Sequence, residues 1–220
     1  MVPVDLSSQA AIRSAAKILL DDLPRIDVLI NNAGVLKRSP ELSTDGIEFT
    51  YAVNVIAPFL LSNLLLPLLK ASPSARIVNL SSELYKSGKV ELLDGLPEGK
   101  YSGNQLYSNS KLLLVMNSNT LAAQLSDTTI TVNSLHPGVI GTDVFREYPA
   151  WIGKALNLFI PKPAAGAKPS IYLATSLNVE NRSGRYFNKT KETAVVDLAK
   201  SETAAKEVWT YCQGLVSPSE

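Results

Sequence analysis

The sequence predicts an α/β fold in which a parallel sheet is covered by helices on both faces. Short apolar runs of strand length alternate with longer segments of helical periodicity, which is the pattern of such a sheet. Polar or glycine-containing clusters follow the apolar runs, where the strands would end. Because ligands bind outside the carboxyl ends of the strands in these sheets, the clusters together predict one site.

Composition and residue counts exclude several classes of protein. Of the 220 residues, 45% are hydrophobic and 19% are charged, and the formal net charge is +1. These values indicate one folded domain over residues 1–220, with no nucleic-acid surface and no extensive disorder. The single cysteine, Cys212, and the single histidine, His136, exclude an internal disulfide and a Cys/His metal site. We expect no bound metal, and we interpret Cys212 as a small buried hydrophobe and His136 as a structural residue.

Neither a membrane segment nor a secretory signal is predicted. The apolar run at residues 59–69 is interrupted by Ser62, Asn63 and Pro67 and is too short to span a bilayer. The N-terminal residues lack the basic start and the cleavable apolar region of a signal peptide. Together with the single cysteine, these features favour a cytoplasmic protein.

In the first half of the chain, strands and helices are predicted in alternation. The predicted strands are residues 2–4, 26–30 and 76–80, and the predicted helices are residues 8–22 and 46–69. Asp5 and the residues after it form the turn and cap into the first helix. The second strand stops at the sequence Asn-Asn-Ala-Gly, where Gly34 gives the backbone freedom that a sharp turn beside a ligand requires. The third strand ends in the hydroxyl pair Ser81 and Ser82.

The second half of the chain continues the alternation after a polar, glycine-containing loop. The loop is predicted at residues 84–103, helices at residues 104–126, 164–175 and 201–213, and strands at residues 130–135 and 184–187. The strand at residues 130–135 is ended by His136, Pro137 and Gly138. Residues 142–164 hold a mixed segment with aromatic side chains and several prolines.

The helix after this loop carries the sequence Tyr-Ser-Asn-Ser-Lys at residues 107–111. Residues four apart lie on one face of a helix, so the Tyr107 hydroxyl and the Lys111 ammonium can meet over one pocket. A nearby ammonium favours the phenolate, which would lower a tyrosine pKa from its usual value of about 10. Tyr107 would then serve as a general acid and base near neutral pH. A Tyr and a Lys at this spacing also occur on solvated helix faces, so the neighbouring clusters decide between the two interpretations.

With these clusters in this order, the sequence resembles the short-chain dehydrogenase/reductase family, and in particular its retinol-dehydrogenase-like branch. The matching motifs are residues 31–34 (Asn-Asn-Ala-Gly), Asn54, residues 76–82 (Arg-Ile-Val-Asn-Leu-Ser-Ser), residues 107–111, and Pro137 and Gly138 with Thr142. The resemblance implies a Rossmann-like, doubly wound parallel sheet and a cofactor that is NADP or NAD. It also implies an oxidoreductase that interconverts a small lipophilic alcohol and its carbonyl compound by hydride transfer.

The resemblance implies four catalytic roles. Tyr107 would exchange a proton with the substrate oxygen, while Lys111 would lower the Tyr107 pKa and hold the nicotinamide ribose. Ser82 would hydrogen-bond the substrate oxygen, in preference to Ser81, because family members place the catalytic serine second in this pair. Asn54 would hold a water that extends a proton relay through Lys111. Alternatively, Asn54 could bond the backbone of a neighbouring strand, and the two serines could form an ordinary strand-ending turn.

The resemblance further implies a set of cofactor-binding residues and a substrate lid. Besides Tyr107 and Lys111, the set comprises Asp5 and Leu6 at the adenine, Asn32, Ala33 and Gly34 at the adenosine ribose, and Pro137, Gly138, Val139 and Thr142 at the carboxamide. Thr142 could also be only a helix cap. Family members place the lid where residues 144–163 form an apolar, proline-marked segment here, which favours a lipophilic substrate. They usually dimerise through helices equivalent to residues 46–69 and 104–126, which makes a homodimer a candidate assembly.

The sequence departs from the family before Asp5. A full member begins with a strand, a glycine-rich turn that cradles the cofactor pyrophosphate, a helix and a second strand, whereas the first glycine here is Gly34. We therefore expect a sheet that is N-terminally incomplete, with the first two strands missing and residues 26–30 left as an uncovered edge. Cofactor affinity is expected to suffer from the loss of the turn.

Two interpretations of this departure stay open. The chain is either a shortened product or misassigned start of an ordinary reductase, or a catalytically silent short form that acts as a protein-interaction module through the exposed edge. A flavin-dependent or nucleotide-sugar-modifying relative with the same Tyr-Lys pair is a further alternative. The lack of an enlarged C-terminal substrate domain disfavours that alternative.

Overall fold

A largely parallel sheet with helices on both faces organises the part of the chain that the computed structural model describes, residues 1–138 and 163–217. The strands are β1 (Val28–Asn31), β2 (Arg76–Leu80), β3 (Thr131–His136), β4 (Arg185–Asn188) and β5 (Lys191–Thr193). They lie in the order β1-β2-β3-β4-β5, with β1 to β4 parallel and β5 antiparallel to β4. Helices pack against both faces of this sheet, which confirms the predicted Rossmann-like α/β class.

The helices follow the strands in the alternation that the sequence predicts. They are α1 (Gln9–Asp22), α2 (Phe49–Tyr51), α3 (Ala57–Leu64), α4 (Leu66–Lys70), α5 (Gly103–Gln124), α6 (Pro163–Thr175) and α7 (Glu202–Val216). A π-helical turn (Ala52–Ile56) joins α2 to α3, and short 3₁₀ helices occur at Glu83–Ser87, Leu177–Val179 and Asp197–Lys200. Across the described ranges, every helix is too short or too polar to cross a membrane.

The sheet buries apolar side chains on both faces. Along β2, Ile77 belongs to the larger core and Val78 to the smaller one, because successive side chains of a strand point to opposite faces. The larger core also takes apolar residues of α3, α5 and α7, among them Phe59, Leu112, Met116, Val208 and Trp209. The smaller core contains Leu80, Leu135, Leu173 of α6, Val179 and Phe187. Burial on both faces explains why the adjacent residues Ile77 and Val78 of β2 are both apolar.

β1 is an edge strand within the described residues. It pairs with β2 alone, and its Val28 and Ile30 are 36% and 39% exposed. The uncovered edge predicted at residues 26–30 is therefore confirmed, although the strand begins at Val28 and the Ile26 N–H donates to the Leu68 carbonyl at 3.0 Å. The strand predicted at residues 2–4 is wrong. None of the described strands lies beside these residues, and a strand needs a neighbour to complete its backbone hydrogen bonds.

The helix predicted over residues 46–69 is interrupted twice. The π-helical turn Ala52–Ile56 widens it around Asn54, and at Leu65 the backbone leaves helical geometry with φ −90° and ψ 2°. Pro67 then sits in the first turn of α4, where its missing N–H has no intrahelical partner to lose. Periodicity alone could not predict these breaks, because the buried face continues across them.

Differences elsewhere concern short elements. The hairpin between β4 and β5 was not predicted, since its turn places Lys189 at φ 56°, a conformation that sequences normally mark with Gly or Asn. The loop predicted at residues 84–103 contains most of the 3₁₀ helix Glu83–Ser87. The last helix extends to Val216 rather than residue 213, and β2 occupies the residues predicted for it.

Two helical glycines give opposite expectations for the same substitution. A Cβ added at Gly103, the first residue of α5, would lie 1.9 Å from the Lys37 carbonyl oxygen, whereas one added at Gly214 in α7 would meet no heavy atom within 4 Å. We expect Gly103→Ala to destabilise the chain by about 1–3 kcal/mol through overpacking. Gly214→Ala should be neutral or stabilising by up to ~1 kcal/mol. Urea unfolding midpoints measure both, and equal midpoints for the two variants would contradict the close contact at Gly103.

Candidate active site

α5 carries Tyr107 and Lys111 one helical turn apart, and both are buried, at 7% and 3% exposure. The Lys111 ammonium lies 5.6 Å from the centroid of the Tyr107 ring. Its Nζ donates a 2.9 Å hydrogen bond to the backbone carbonyl of Leu80, the last residue of β2. The two side chains thus point to the same region, at the carboxyl end of a parallel strand, as their spacing predicts.

The pKa of the Tyr107 hydroxyl departs from the prediction. Burial raises the pKa of Tyr107 above its ordinary value of 10.0, and a hydrogen bond with the Ser82 side chain offsets only part of this effect. The predicted lowering of the Tyr107 pKa is therefore wrong for this structure, because burial removes the phenol from water and disfavours its charged form. Burial also lowers the pKa of Lys111 from 10.5 to about 8, since a low-dielectric environment disfavours its charge.

The two serines after β2 have different partners. Ser81 is buried, and its Oγ donates to the backbone carbonyl of Lys111 at 3.1 Å. Ser82 caps the 3₁₀ helix Glu83–Ser87 by accepting from the Leu84 N–H at 3.3 Å, and it also hydrogen-bonds Tyr107. Ser82 is thus the serine of the pair that lies at the phenol. The strand-ending turn that was the alternative interpretation is also present, because the Ser82 side chain both caps the turn and contacts the phenol.

Asn54 lies in the π-helical turn and ties three elements together. Its Oδ1 accepts from the Val35 N–H at 2.8 Å, and its Nδ2 donates to the Val35 carbonyl at 2.9 Å and to Ser110 Oγ at 3.0 Å. Asn54 therefore does bond backbone, as the alternative interpretation has it, but in the loop after β1 rather than in a strand. Local π-helical geometry is frequent at functional sites. Its role in holding a water stays a prediction.

Gly34 is required by space rather than by backbone conformation. Its φ does not lie in the positive range that favours glycine. A Cβ added at Gly34 would instead lie 3.1 Å from Lys111 Nζ and 3.6 Å from Asn54 Oδ1. The glycine thus allows the Lys111 ammonium to approach the backbone closely. Asn32 and Ala33, which precede it, are exposed at the end of β1.

Asp5 and Leu6 serve the start of α1. The Asp5 carboxylate accepts from the Ser7 N–H at 2.9 Å and from the Ser7 hydroxyl at 2.7 Å, and these bonds hold the pKa of Asp5 below its ordinary value. Leu6 is partly buried against Ile12 and its neighbours. Ser8 is the N-cap and accepts from the Ala11 N–H, which confirms the predicted turn and cap. The Asp5 carboxylate itself is exposed.

The chain after β3 is described only as far as Gly138. Gly138 has φ +96°, and an added Cβ would lie 3.2 Å from Cε of Lys189. Among the described residues, the buried Nδ1 of His136 has no hydrogen-bond partner, and burial lowers the pKa of this side chain. Val139 and Thr142 lie outside the described residues, and so do residues 144–162 of the lid predicted at residues 144–163, whose last residue, Pro163, begins α6.

Two features of the site were not predicted from the sequence. Ser110 links Asn54 to α5, accepting from Asn54 and donating to the Tyr107 carbonyl at 2.8 Å. Its place beside Lys111 in the motif was a usable signal, whereas no sequence pattern indicates the Leu80 carbonyl as a lysine partner.

Cys212 is buried as predicted and accepts from Asn117 Nδ2 at 3.2 Å. The part of the chain described shows no group of His, Cys, Asp and Glu side chains arranged to hold a metal ion.

Residues 1–153 match the family model described as short chain dehydrogenase. The chain therefore belongs to the short-chain dehydrogenase family.

Curated relatives place it near the retinol-dehydrogenase-like branch. It is 40% identical over 219 residues to human retinol dehydrogenase 14, an alignment that covers 97% of this chain and 65% of that protein. Human retinol dehydrogenase 13 is 36% identical over 222 residues, covering 97% of this chain and 67% of that protein. The chain thus spans somewhat less than two thirds of the length of the first of these relatives.

Solved structures share the fold. A protein from Mycobacterium paratuberculosis superposes with a TM-score of 0.75 at 25% identity, covering 97% of this chain and 74% of that one. The Pseudomonas aeruginosa RhlG/NADP active-site complex gives a TM-score of 0.66 at 27% identity, covering 85% of this chain and 73% of that one. The resemblance stated from the motifs is therefore confirmed at the level of family and fold.

The lowered pKa of Lys111 gives the stability of the chain a defined pH dependence. Between pH about 8 and 10.5 the unfolded chain holds a proton on Lys111 that the folded chain has lost, so stability rises with pH across this window. Below pH about 8, Lys111 is charged in both the folded and the unfolded chain. Burial of that charge then lowers the free energy of unfolding by roughly 3 kcal/mol relative to its value above pH 10.5. We expect Lys111→Met to remove this rise. Denaturant unfolding at pH 7 to 10.5 measures the difference between the two proteins, and a difference that stays constant with pH would contradict the buried ammonium.

Proposed function

We propose that this chain is an NAD(P)-dependent oxidoreductase that interconverts a lipophilic alcohol and its carbonyl compound. The observation that carries the proposal is the meeting of Tyr107, Ser82 and Lys111 at the carboxyl end of β2, beside Gly34. In this arrangement a phenol, a hydroxyl and an ammonium converge where such sheets bind ligands. Membership of the short-chain dehydrogenase family supports the same reaction class.

The roles of the side chains follow from their contacts. The Tyr107 hydroxyl donates a proton to the oxygen of a carbonyl substrate, or accepts one from an alcohol. Ser82, which already hydrogen-bonds this phenol, holds the same substrate oxygen in reach. Because the pKa of Lys111 is about 8, its side chain is positively charged at neutral pH. The ammonium then stabilises the negative charge that develops on the phenol. Asn54 and Ser110 hold the elements that carry these groups.

The residues present fit the nicotinamide ribose end of an NAD(P) cofactor. The region at Gly34 would be filled by a Cβ, and it borders Lys111 Nζ and Asn54 Oδ1, which supply a hydrogen-bond donor and an acceptor. A bound nicotinamide would supply the hydride chemistry that no side chain provides. The structure named as an NADP complex, from Pseudomonas aeruginosa, supports this choice of cofactor class. Asp5, Leu6, Asn32, Ala33, Pro137, Gly138, Val139 and Thr142 are proposed as further contacts.

The substrate, the domain organisation, the location and the assembly of the protein are proposals as well. The names of the curated relatives and the apolar sequence of residues 144–163 support a lipophilic, retinol-like substrate. One domain over residues 1–220 and a cytoplasmic location are expected from composition. A homodimer would have to use the parts of α3 and α5 that α7 leaves open, because Trp209 of α7 already stacks edge-on against Phe59 at 4.7 Å.

A second candidate function is a catalytically silent interaction module. The exposed β1 edge favours it, because a strand with a free side can pair with another chain. The two functions differ in a simple readout. Absence of both turnover and cofactor binding in the folded chain would favour the interaction module.

Removal of one oxygen atom tests the proposed reaction. Tyr107→Phe keeps the buried ring and deletes the proton-transfer group, so we expect kcat to fall by at least ~100-fold with the cofactor dissociation constant nearly unchanged. Ser81→Ala is the matched control, because Ser81 contacts the Lys111 carbonyl and not the phenol. Absorbance at the nicotinamide band, with aliphatic and retinoid alcohols and aldehydes as substrates, measures turnover. Retained turnover in Tyr107→Phe would remove this residue from the mechanism.

Cofactor affinity is a separate expectation. The sequence holds no glycine-rich turn at a helix N-terminus before Gly34, so the pyrophosphate lacks its usual donors and binding of NADPH and NADH should be weak. Titration of the 220-residue chain, followed by cofactor fluorescence, measures both affinities. Micromolar dissociation constants would contradict the expectation and show that other donors hold the pyrophosphate.

A further inference from the structure

Asn109 is a fully buried polar residue in the middle of α5 that the proposed reaction does not use. Its Oδ1 accepts from the Lys89 N–H at 2.8 Å and from Gln105 Nε2 at 2.8 Å. Its Nδ2 donates to the Glu91 carboxylate at 2.7 Å. One side chain thus binds two points of the loop before α5, residues 83–91, which we name the strap.

The strap lies directly on α5 over most of its length. A Cβ added at Gly88 would lie 2.6 Å from the Ser108 carbonyl oxygen and 2.8 Å from Cβ of Leu112. The strap at Gly88 is therefore too close to α5 to admit a side chain without a shift. Gln105 Nε2 donates to the Ser87 carbonyl at 3.1 Å. These contacts leave the strap little freedom to slide along the helix.

The strap follows directly after Ser82, the residue that contacts the Tyr107 phenol. Ser82 caps the 3₁₀ helix Glu83–Ser87, and its hydroxyl hydrogen-bonds Tyr107. Tyr107 itself is carried by α5, two residues before Asn109. Ser82 therefore lies between two attachments to α5: on one side the Ser81 hydroxyl donates to the Lys111 carbonyl, and on the other side Asn109 fastens the strap.

We propose that Asn109 is a positioning residue that sets the placement of Ser82 against Tyr107 by fastening the strap to α5. The inference rests on the proposed function, since the placement of Ser82 matters only where Tyr107 transfers a proton. Asn109 touches neither the substrate oxygen nor the phenol, and it acts through the backbone of Lys89 and the carboxylate of Glu91. A displacement of about 1 Å at a reacting group costs on the order of 100-fold in rate.

Asn109→Leu tests the fastening with little change of volume, and Asn117→Leu is its matched control. Asn117 is also buried on α5, but its Nδ2 donates to Cys212 on α7 and not to the strap. We expect Asn109→Leu to lower kcat by about 10- to 100-fold while KM for the cofactor changes less than about threefold. Asn117→Leu should leave kcat within about threefold of the original chain. Equal losses in the two variants, or no loss in Asn109→Leu, would overturn the proposal.

The Tyr107 pKa is a second readout that needs no turnover. It therefore tests the role of Asn109 even if the proposed function fails. The Ser82 hydrogen bond lowers the Tyr107 pKa, so Ser82→Ala should raise it, and Asn109→Leu should raise it in the same direction. Carbon-13 NMR titration of labelled tyrosines follows the phenol directly, with Tyr107→Phe identifying its signal. A Tyr107 pKa that moves in Ser82→Ala but not in Asn109→Leu, or in neither, overturns the positioning role.

A variant pair at Glu91 covers the case in which Asn109→Leu does not fold. Glu91 is only partly buried, so substitutions there are milder. Glu91→Gln keeps an acceptor for Asn109 Nδ2 and should preserve the Tyr107 pKa, whereas Glu91→Ala removes the acceptor and should raise it. The same Tyr107 pKa in both Glu91 variants would contradict the proposal.

Discussion

The burial of the Lys111 ammonium is the constraint on which the arrangement of the site depends. An ammonium that is 3% exposed has lost its water and needs acceptors inside the protein. The carbonyl of Leu80 supplies one, because β2 ends there and its last carbonyl is available to a side chain from α5. Space beside Nζ exists only because residue 34 is glycine. Asn54 holds Gly34 in place by hydrogen-bonding both the backbone N–H and the backbone carbonyl of the next residue, Val35. The buried charge of Lys111 therefore links the end of β2, the loop after β1 and α5.

Features that depend on local geometry could be predicted from the sequence. The spacing of Tyr107 and Lys111 fixes a shared helix face whatever surrounds it. The apolar run of β2 and the serines that follow it define the strand end and the site edge together. The preference for Ser82 came from the family resemblance, and the hydrogen bond to Tyr107 agrees with it. The edge position of β1 likewise followed from the order of strands expected for the family.

Features that depend on the surroundings of a side chain could not be predicted in this way. The Tyr107 pKa moves upward because burial disfavours the phenolate, and burial is a property of the folded chain rather than of spacing. Asn54 was correctly singled out, but its bonds to Val35 depend on a π-helical turn that leaves no mark in apolar periodicity. The hairpin to β5 depends on Lys189 adopting a left-handed conformation that its residue type disfavours.

The high polar content of α5, although it is buried, follows from its position among several layers. Packed against the sheet on one side, and against α7 and the strap on others, it has almost no solvated face. Polar residues on such a helix must form hydrogen bonds with a neighbouring element. The Ser118 hydroxyl accepts a hydrogen bond from Asn79 of β2 at 2.8 Å, and Asn117 donates one to Cys212 of α7. Each bond specifies the register of a different neighbour. A helix fixed in this way holds its own pair, Tyr107 and Lys111, by backbone geometry alone, so precision at the site is limited by the groups that come from elsewhere.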